Sequence, residues 1–142
     1  MKRLVLVGAG HAHVQVLRSW MDAPLPDVEL VLVSPSRLAP YSGMVPGWLQ
    51  GVYAFDNISI DAASLAHAAA ARFIEDDVTA IEPGAQLLRL RRHDVLRWDV
   101  VSLNIGSTLC PPRGMRGRLL SMRPLGDLRA SWDALLAGLD PH

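Results

Sequence analysis

The sequence has one cysteine, Cys110, among 142 residues. That excludes an internal disulfide framework, a four-cysteine zinc site and the paired-cysteine centre of disulfide reductases, and it suits a reducing, cytoplasmic setting. Charge of one sign is also missing. The 14 Lys and Arg residues balance 14 Asp and Glu residues, so no overall positive field exists to hold nucleic acid or an anionic membrane surface. No apolar run approaches the roughly 20 residues that span a bilayer. Membrane contact is therefore expected to be peripheral, or to be made by a segment outside this sequence. The opening Met1 to Val7 looks superficially like a signal peptide, but its apolar run stops at Gly8 and leads to two histidines instead of a cleavage site. There are no internal repeats and no low-complexity segments.

What is present fits one ordinary globular domain, with 50% hydrophobic and 20% charged residues. Leu4 to Val7 is an unbroken aliphatic run ended by glycine, as in a strand buried on both faces of a parallel sheet. Val14, Leu17 and Met21 then recur at helical spacing, and Asp22 to Pro26 should end that helix. Glu29 to Val33 reads as a second buried strand, so strand, helix and strand form one crossover unit. The stretch from Arg37 to Tyr53 contains three glycines and two prolines and is expected to be a long loop with room for one helical turn. Asp61 can cap a helix through Ala62 to Ala71. Short strands are expected at Arg72 to Ile74, Val78 to Ile81, Leu87 to Leu90 and Val100 to Leu103, some of them antiparallel. Asp127 is expected to cap a last helix through Leu128, Trp132, Leu135 and Leu136. The fold class is thus α/β, a Rossmann-like parallel sheet with a small antiparallel layer.

The chemistry-bearing feature is Gly8-Ala9-Gly10-His11-Ala12-His13, placed where the first buried strand meets the first helix. Gly8 permits the turn, and Gly10 allows a pyrophosphate to approach the backbone and the helix amides. Gly8, Gly10, His11 and Ala12 are therefore candidate cofactor contacts. Two positions depart from the dinucleotide fingerprint. His13 stands where glycine or alanine is usual, and Ser34 stands where an acid would bind ribose hydroxyls. A neutral hydroxyl binds ribose more weakly than a carboxylate. His11 and His13 are two positions apart on a helix and diverge, which argues against a metal pair; one is expected to touch cofactor and the other to pack. Cys110 reads as a buried or incidental thiol, and Arg89, Arg91, Arg92 and Arg97 as the solvated face of a strand pair.

The glycine turn, Ser34-Pro35-Ser36-Arg37, and Pro40-Tyr41-Ser42-Gly43-Met44-Val45-Pro46-Gly47 together resemble the pyridine nucleotide-disulfide oxidoreductase superfamily. Within it the chain is most similar to type II NADH dehydrogenase and to the NADH-dehydrogenase-like module fused to selenide, water dikinase. Trp98 to Ser107 is similar to the second flavin motif, with Asn104 and Ile105 in place of its Ala-Thr pair and Gly106 retained.

The resemblance implies a flavoprotein that binds FAD and takes hydride from NAD(P)H as co-substrate, passing electrons to an acceptor such as a quinone. It implies that the first fingerprint holds FAD, with Ser34, Pro35 and Ser36 at the ribose and the backbone of Val78 at the adenine. Ser42, Gly43 and Met44 would lie near the pyrophosphate or flavin, and Gly106 and Ser107 would close over the cofactor. Residues 1–142 then correspond to the N-terminal part of an FAD domain, with the NAD(P)H domain absent, so that the chain reads as a truncated piece with apolar surface available for self-association. Met122-Arg123-Pro124 would lead into the next domain. No side chain stands out as a catalytic acid, base or nucleophile, and hydride transfer to flavin needs none. The alternative is a nucleotide-binding or sensor module without catalysis.

Overall fold

The computed structural model describes residues 1–107, 114, 120, 123 and 125–138. The chain forms two compact units, one of residues 1–39 and 60–105, the other of residues 40–59 and 106–142.

The first unit is built on a four-stranded sheet of β1 (Lys2–Val7), β2 (Val28–Ser34), β5 (Arg72–Glu75) and β9 (Val100–Leu103), in the order β5-β2-β1-β9. All three pairings are parallel. Counting only these strands, the order is third, second, first, fourth, the beginning of a doubly wound sheet whose direction of winding reverses between β1 and β9. Strand β3 (Leu38–Pro40) pairs with β4 (Ser59–Asp61) where the chain passes between units.

The two faces of the sheet are sorted by residue size. Leu4, Leu6, Leu30 and Leu32 point to one face, where they pack with Leu17 of α1 (His11–Asp22) and with Ala62 and Ala66 of α3 (Ala62–Ala68). Val5, Val7, Val31 and Val33 point to the other, against Leu88, Leu96 and the partly buried Val78, Leu90 and Trp98. These last belong to or adjoin an antiparallel meander of β6 (Val78–Glu82), β7 (Leu87–Leu90) and β8 (Leu96–Arg97). The period-two alternation of strands feeds both layers, and the small alanines of α3 let that helix lie close.

Helix α3 is shorter than the sequence suggests. Asp61 caps it as expected, accepting the Ser64 N–H at 2.9 Å. It ends at Ala68, however, because Ala70 turns left-handed at φ 50°. The Ala71 N–H then reaches Ala66 O at 2.8 Å and the Ala70 N–H reaches His67 O at 3.0 Å, a complete Schellman closure with alanine in the position glycine usually takes.

In the second unit, the stretch read as a loop carries regular structure: a 3-10 turn at Ser42–Met44, then α2 (Val45–Leu49), then another 3-10 turn at Phe55–Ile58. Two glycines that looked like breakers make room for rings. A Cβ on Gly43 would come within 3.0 Å of the Tyr41 ring, and one on Gly47 within 2.6 Å of the Tyr53 ring. Helix α4 (Leu125–Ala137) begins earlier than expected, so Asp127 sits inside its first turn and does not cap it. There its charge still complements the helix dipole. Val45, Ile58 and Leu128 are buried together, with Met44, Trp48, Leu49 and Phe55 around them. Trp48 meets Phe55 edge-on at 5.0 Å and Trp132 at 6.4 Å. The Arg129 guanidinium lies 5.2 Å over the Phe55 ring.

Candidate functional site

At the carboxyl end of β1 the chain turns on Gly8, whose φ of +86° suits glycine alone. Its N–H donates to Val33 O at 2.7 Å, tying the turn to β2. Gly10 is the N-cap of α1 and, as a glycine, supplies no side-chain cap. Its first turn also carries no acidic residue, which leaves an amino end suited to an anion. Ala12 and His11 are exposed on this turn.

The glycines have a further reason that spacing did not reveal. A Cβ on Gly10 would overlap the Asn104 side chain, and one on Gly8 would lie 2.8 Å from the Asn104 carbonyl carbon. Asn104 continues β9, with its N–H on Val7 O at 2.9 Å. Both glycines therefore admit the end of β9. The point where the winding reverses is formed by Gly8, Gly10 and Asn104.

His13, in the place of the third small residue, is 2% exposed. Its Nδ1 lies 2.6 Å from Gly8 O and its Nε2 lies 2.9 Å from Ser102 Oγ. A carbonyl only accepts, so Nδ1–H donates to Gly8, and in the neutral ring Nε2 accepts the Ser102 hydroxyl. One imidazole thus fastens α1 to both β1 and β9. Of the two histidines His13 is the one that packs.

Ser34 closes β2 and is 5% exposed; Pro35 and Ser36 follow it on the surface, and Ser36 Oγ accepts the Leu38 N–H at 3.2 Å. Arg37 forks onto Asp61 through Nε and Nη2. The Arg37 bond and the Ser64 bonds hold the Asp61 carboxyl well below the usual carboxylate range. Arg37 is raised in turn by its bond to Asp61 and by that residue's charge, which outweigh the lowering by burial, and the charge of Glu75 adds to the rise. Val78 opens β6, opposite Leu90.

Asp76, just past β5, had no signal in the sequence beyond a run of three acidic residues, Glu75-Asp76-Asp77, at a strand end. It is 1% exposed. It accepts the N–H groups of Asp77 at 2.8 Å, Arg92 at 3.0 Å and His93 at 3.0 Å, and His93 Nδ1 at 2.6 Å. Burial pushes its carboxyl up, but these bonds, that of His93 foremost, outweigh it and hold the carboxyl well below the ordinary range. Its own N–H donates to Ser34 O at 2.9 Å. The ends of β2, β5 and the meander are thereby joined.

The sequence-derived candidates fall into two sets. Gly8, Gly10, His11, Ala12, Ser34, Pro35, Ser36 and Val78 belong to the first unit; Ser42, Gly43, Met44, Gly106 and Ser107 belong to the second. Gly106 has a φ of +75°, with open space where a Cβ would stand. Cys110, Met122 and Pro124 lie outside the described residues. Among the described residues no group of three or more His, Cys, Asp or Glu is arranged to hold a metal, and no helix is long and apolar enough to cross a membrane. A cavity of about 260 Å³ opens beside Met1, Arg3, Glu29 and Trp98, at the amino ends of the strands and away from the glycine turn.

No protein-family model matches the sequence, and no curated protein does. Solved structures do. The sulfide:quinone oxidoreductase of Aquifex aeolicus superposes with a TM-score of 0.78 at 18% identity, over 96% of this chain and 32% of that one. The chain has the fold of these oxidoreductases. The water-forming NADH oxidase of Lactobacillus brevis, bound to NADH, gives 0.63 at 18% identity over 80% of this chain and 27% of its own. Putidaredoxin reductase, in covalent complex with putidaredoxin, gives 0.64 at 21% identity over 82% and 28%. The chain therefore spans about a third or less of each of these proteins, and at the level of fold they agree with the resemblance to the pyridine nucleotide-disulfide oxidoreductase superfamily.

Proposed function

We propose that this chain is the FAD-binding part of a flavin-dependent NAD(P)H oxidoreductase. One observation carries the reading: the amino end of α1, begun by a glycine and free of acidic residues in its first turn, stands at the point where the winding of a parallel sheet reverses, the place where such sheets bind dinucleotides. The residues suit FAD. The turn of Gly8, Gly10, His11 and Ala12 offers backbone N–H groups to a pyrophosphate, Ser34 to Ser36 border the ribose, and the Val78 backbone meets the adenine. Ser42, Gly43, Met44, Gly106 and Ser107 join the proposal on the resemblance alone. When bound, FAD supplies hydride acceptance at its isoalloxazine ring. The chain's part is to bind and orient, through the His13 tie and the closely fitted Asn104. Among the described residues one strand-glycine-helix turn is present, so we place NAD(P)H on other residues and leave delivery to a quinone or similar acceptor as part of the same proposal, in a cytoplasmic setting.

The test is a titration of the purified chain with FAD, followed by visible absorbance and flavin fluorescence. Saturable binding that Gly10→Val abolishes is expected. Undiminished flavin retention by that variant would refute the placement. Reduction of the bound flavin by NADH, assayed with a dye or quinone acceptor, separates an oxidoreductase from a binding module.

A further inference from the structure

The dinucleotide reading leaves one ligand group without its usual partner. Ribose hydroxyls in such folds meet a carboxylate at the end of the second strand, where this chain has the nearly covered Ser34. The structure brings a carboxylate to the same place from the next strand. Ser34 and Glu75 are register partners in the β2–β5 pairing, and adjacent strands are about 4.8 Å apart. Earlier partners fix the face: Leu32 and Phe73 both pack with the helices, while Val33 and Ile74 both pack with the meander. Alternation therefore puts Ser34 and Glu75 on the helix-bearing face, the face on which α1 lies.

Glu75 is exposed; its carboxylate makes no hydrogen bond or ion pair among the described residues and acts on Arg37 through its charge alone, whereas its acidic neighbours are engaged in bonds. Asp61 holds Arg37, Asp77 holds Arg91 at 3.0 Å, and Asp76 is buried and saturated. The Glu75 backbone is fixed, since its carbonyl accepts Arg92 Nη2 at 2.7 Å. Its side chain is one methylene longer than aspartate, which helps it reach across one strand spacing.

We propose that Glu75, from β5, is the acceptor for the adenosine ribose hydroxyls of the bound dinucleotide, and that it determines specificity for a ribose without a 2′-phosphate. Two hydroxyls can donate to its oxygens, while a phosphate there meets its negative charge, the nearby Arg37 cation being already forked onto Asp61. This deepens the proposed function and rests on it.

The experiment titrates the chain with ADP, 2′,3′-dideoxy-ADP and adenosine 2′,5′-bisphosphate, for the wild type, Glu75→Ala, Glu75→Gln and Ser34→Ala. The wild type is expected to bind ADP about tenfold more tightly than the dideoxy compound, as for a hydrogen bond to a charged group, and to bind the bisphosphate more weakly than ADP. Glu75→Ala should bring the ADP to dideoxy-ADP ratio close to one by weakening ADP alone. Glu75→Gln keeps an oxygen acceptor and should retain part of the ratio while tolerating the bisphosphate. Ser34→Ala should change the ratio less than Glu75→Ala. An unchanged ratio in Glu75→Ala, equal weakening of both ligands, a larger effect from Ser34→Ala, or a wild type blind to the hydroxyls overturns the role of Glu75 and leaves dinucleotide binding standing. Failure of the wild type to bind any of the three overturns the dinucleotide reading, and the role of Glu75 with it.

Discussion

The two units are held together in different ways. The first is layered, with a parallel sheet between helices and a meander, the leucines of β1 and β2 on one face and their valines on the other. The second packs three buried aliphatic side chains against Met44, Leu49 and the rings of Trp48 and Phe55, with Trp132 meeting Trp48. A layered core has neighbours fixed on both sides and little room to collapse, whereas an aromatic cluster can shift its rings to fill a gap. Sequence periodicity serves the first arrangement and says little about the second.

The largest effect that would sharpen this comparison comes from making the same change in both cores. Leu32 and Leu128 are each 0% exposed, and truncation of either to alanine is expected to cost about 2–5 kcal/mol. Leu32→Ala should lie near the upper end and Leu128→Ala near the lower. Urea unfolding read from Trp20 and Trp98 in the first unit, and from Trp48 and Trp132 in the second, measures each loss in single-pair tryptophan variants. Equal or reversed losses would break the contrast.

Next comes the glycine turn. Gly10→Ala should destabilise the first unit by about 1–3 kcal/mol through overpacking. Asn104→Ala in the same chain should recover part of that loss, because the obstructing side chain is gone. A double-mutant cycle checks the coupling, and strict additivity would mean that Asn104 is not what Gly10 accommodates.

His13→Ala should cost about 1–3 kcal/mol by leaving Gly8 O and Ser102 without their buried partner. Ser102→Ala alone should cost about 1 kcal/mol, and almost nothing once His13 is already alanine. Denaturation of the three variants measures this, and a full Ser102 cost in the double variant would show the tie to be absent.

The smallest effect is a change of slope. Asp76 titrates below its ordinary value in the folded chain, so its contribution is fully present above about pH 4, the unfolded carboxylate range, and declines as pH falls from there toward the folded value. Asp76→Asn should remove that share of the acid dependence. Stability curves between about pH 2 and pH 6 of the two proteins, running parallel, would contradict it.

The two central strands of the sheet were legible because each holds a short aliphatic run bounded by turn residues, and β1, α1 and β2 fall where that pattern puts them. The glycine turn was legible for the same local reason. What could not be read depends on distance. Nothing near Gly10 announces that Asn104 fills the space above it, and nothing near Ser34 announces that Glu75 stands beside it. Gly43 and Gly47 misled because a glycine that admits a ring looks the same in sequence as one that breaks a helix. His13 was visible as a departure from the fingerprint, but its two partners, 5 and 89 positions away, were not.

The sorting of leucines and valines between the two sheet faces has a consequence for how the chain finds its pairing. A strand buried on both sides loses the usual safeguard against slippage, since a shift by one residue exposes nothing polar. Here Leu4 lies beside Leu30 and Val5 beside Val31. A one-step slip of β2 would carry its leucines to the meander and its valines to the helices, overfilling one layer and underfilling the other by a methylene at every position. Bulk, in place of polarity, keeps the strands in step, and a valine-for-leucine exchange made at all four leucines would leave the sheet equally oily but free to misalign.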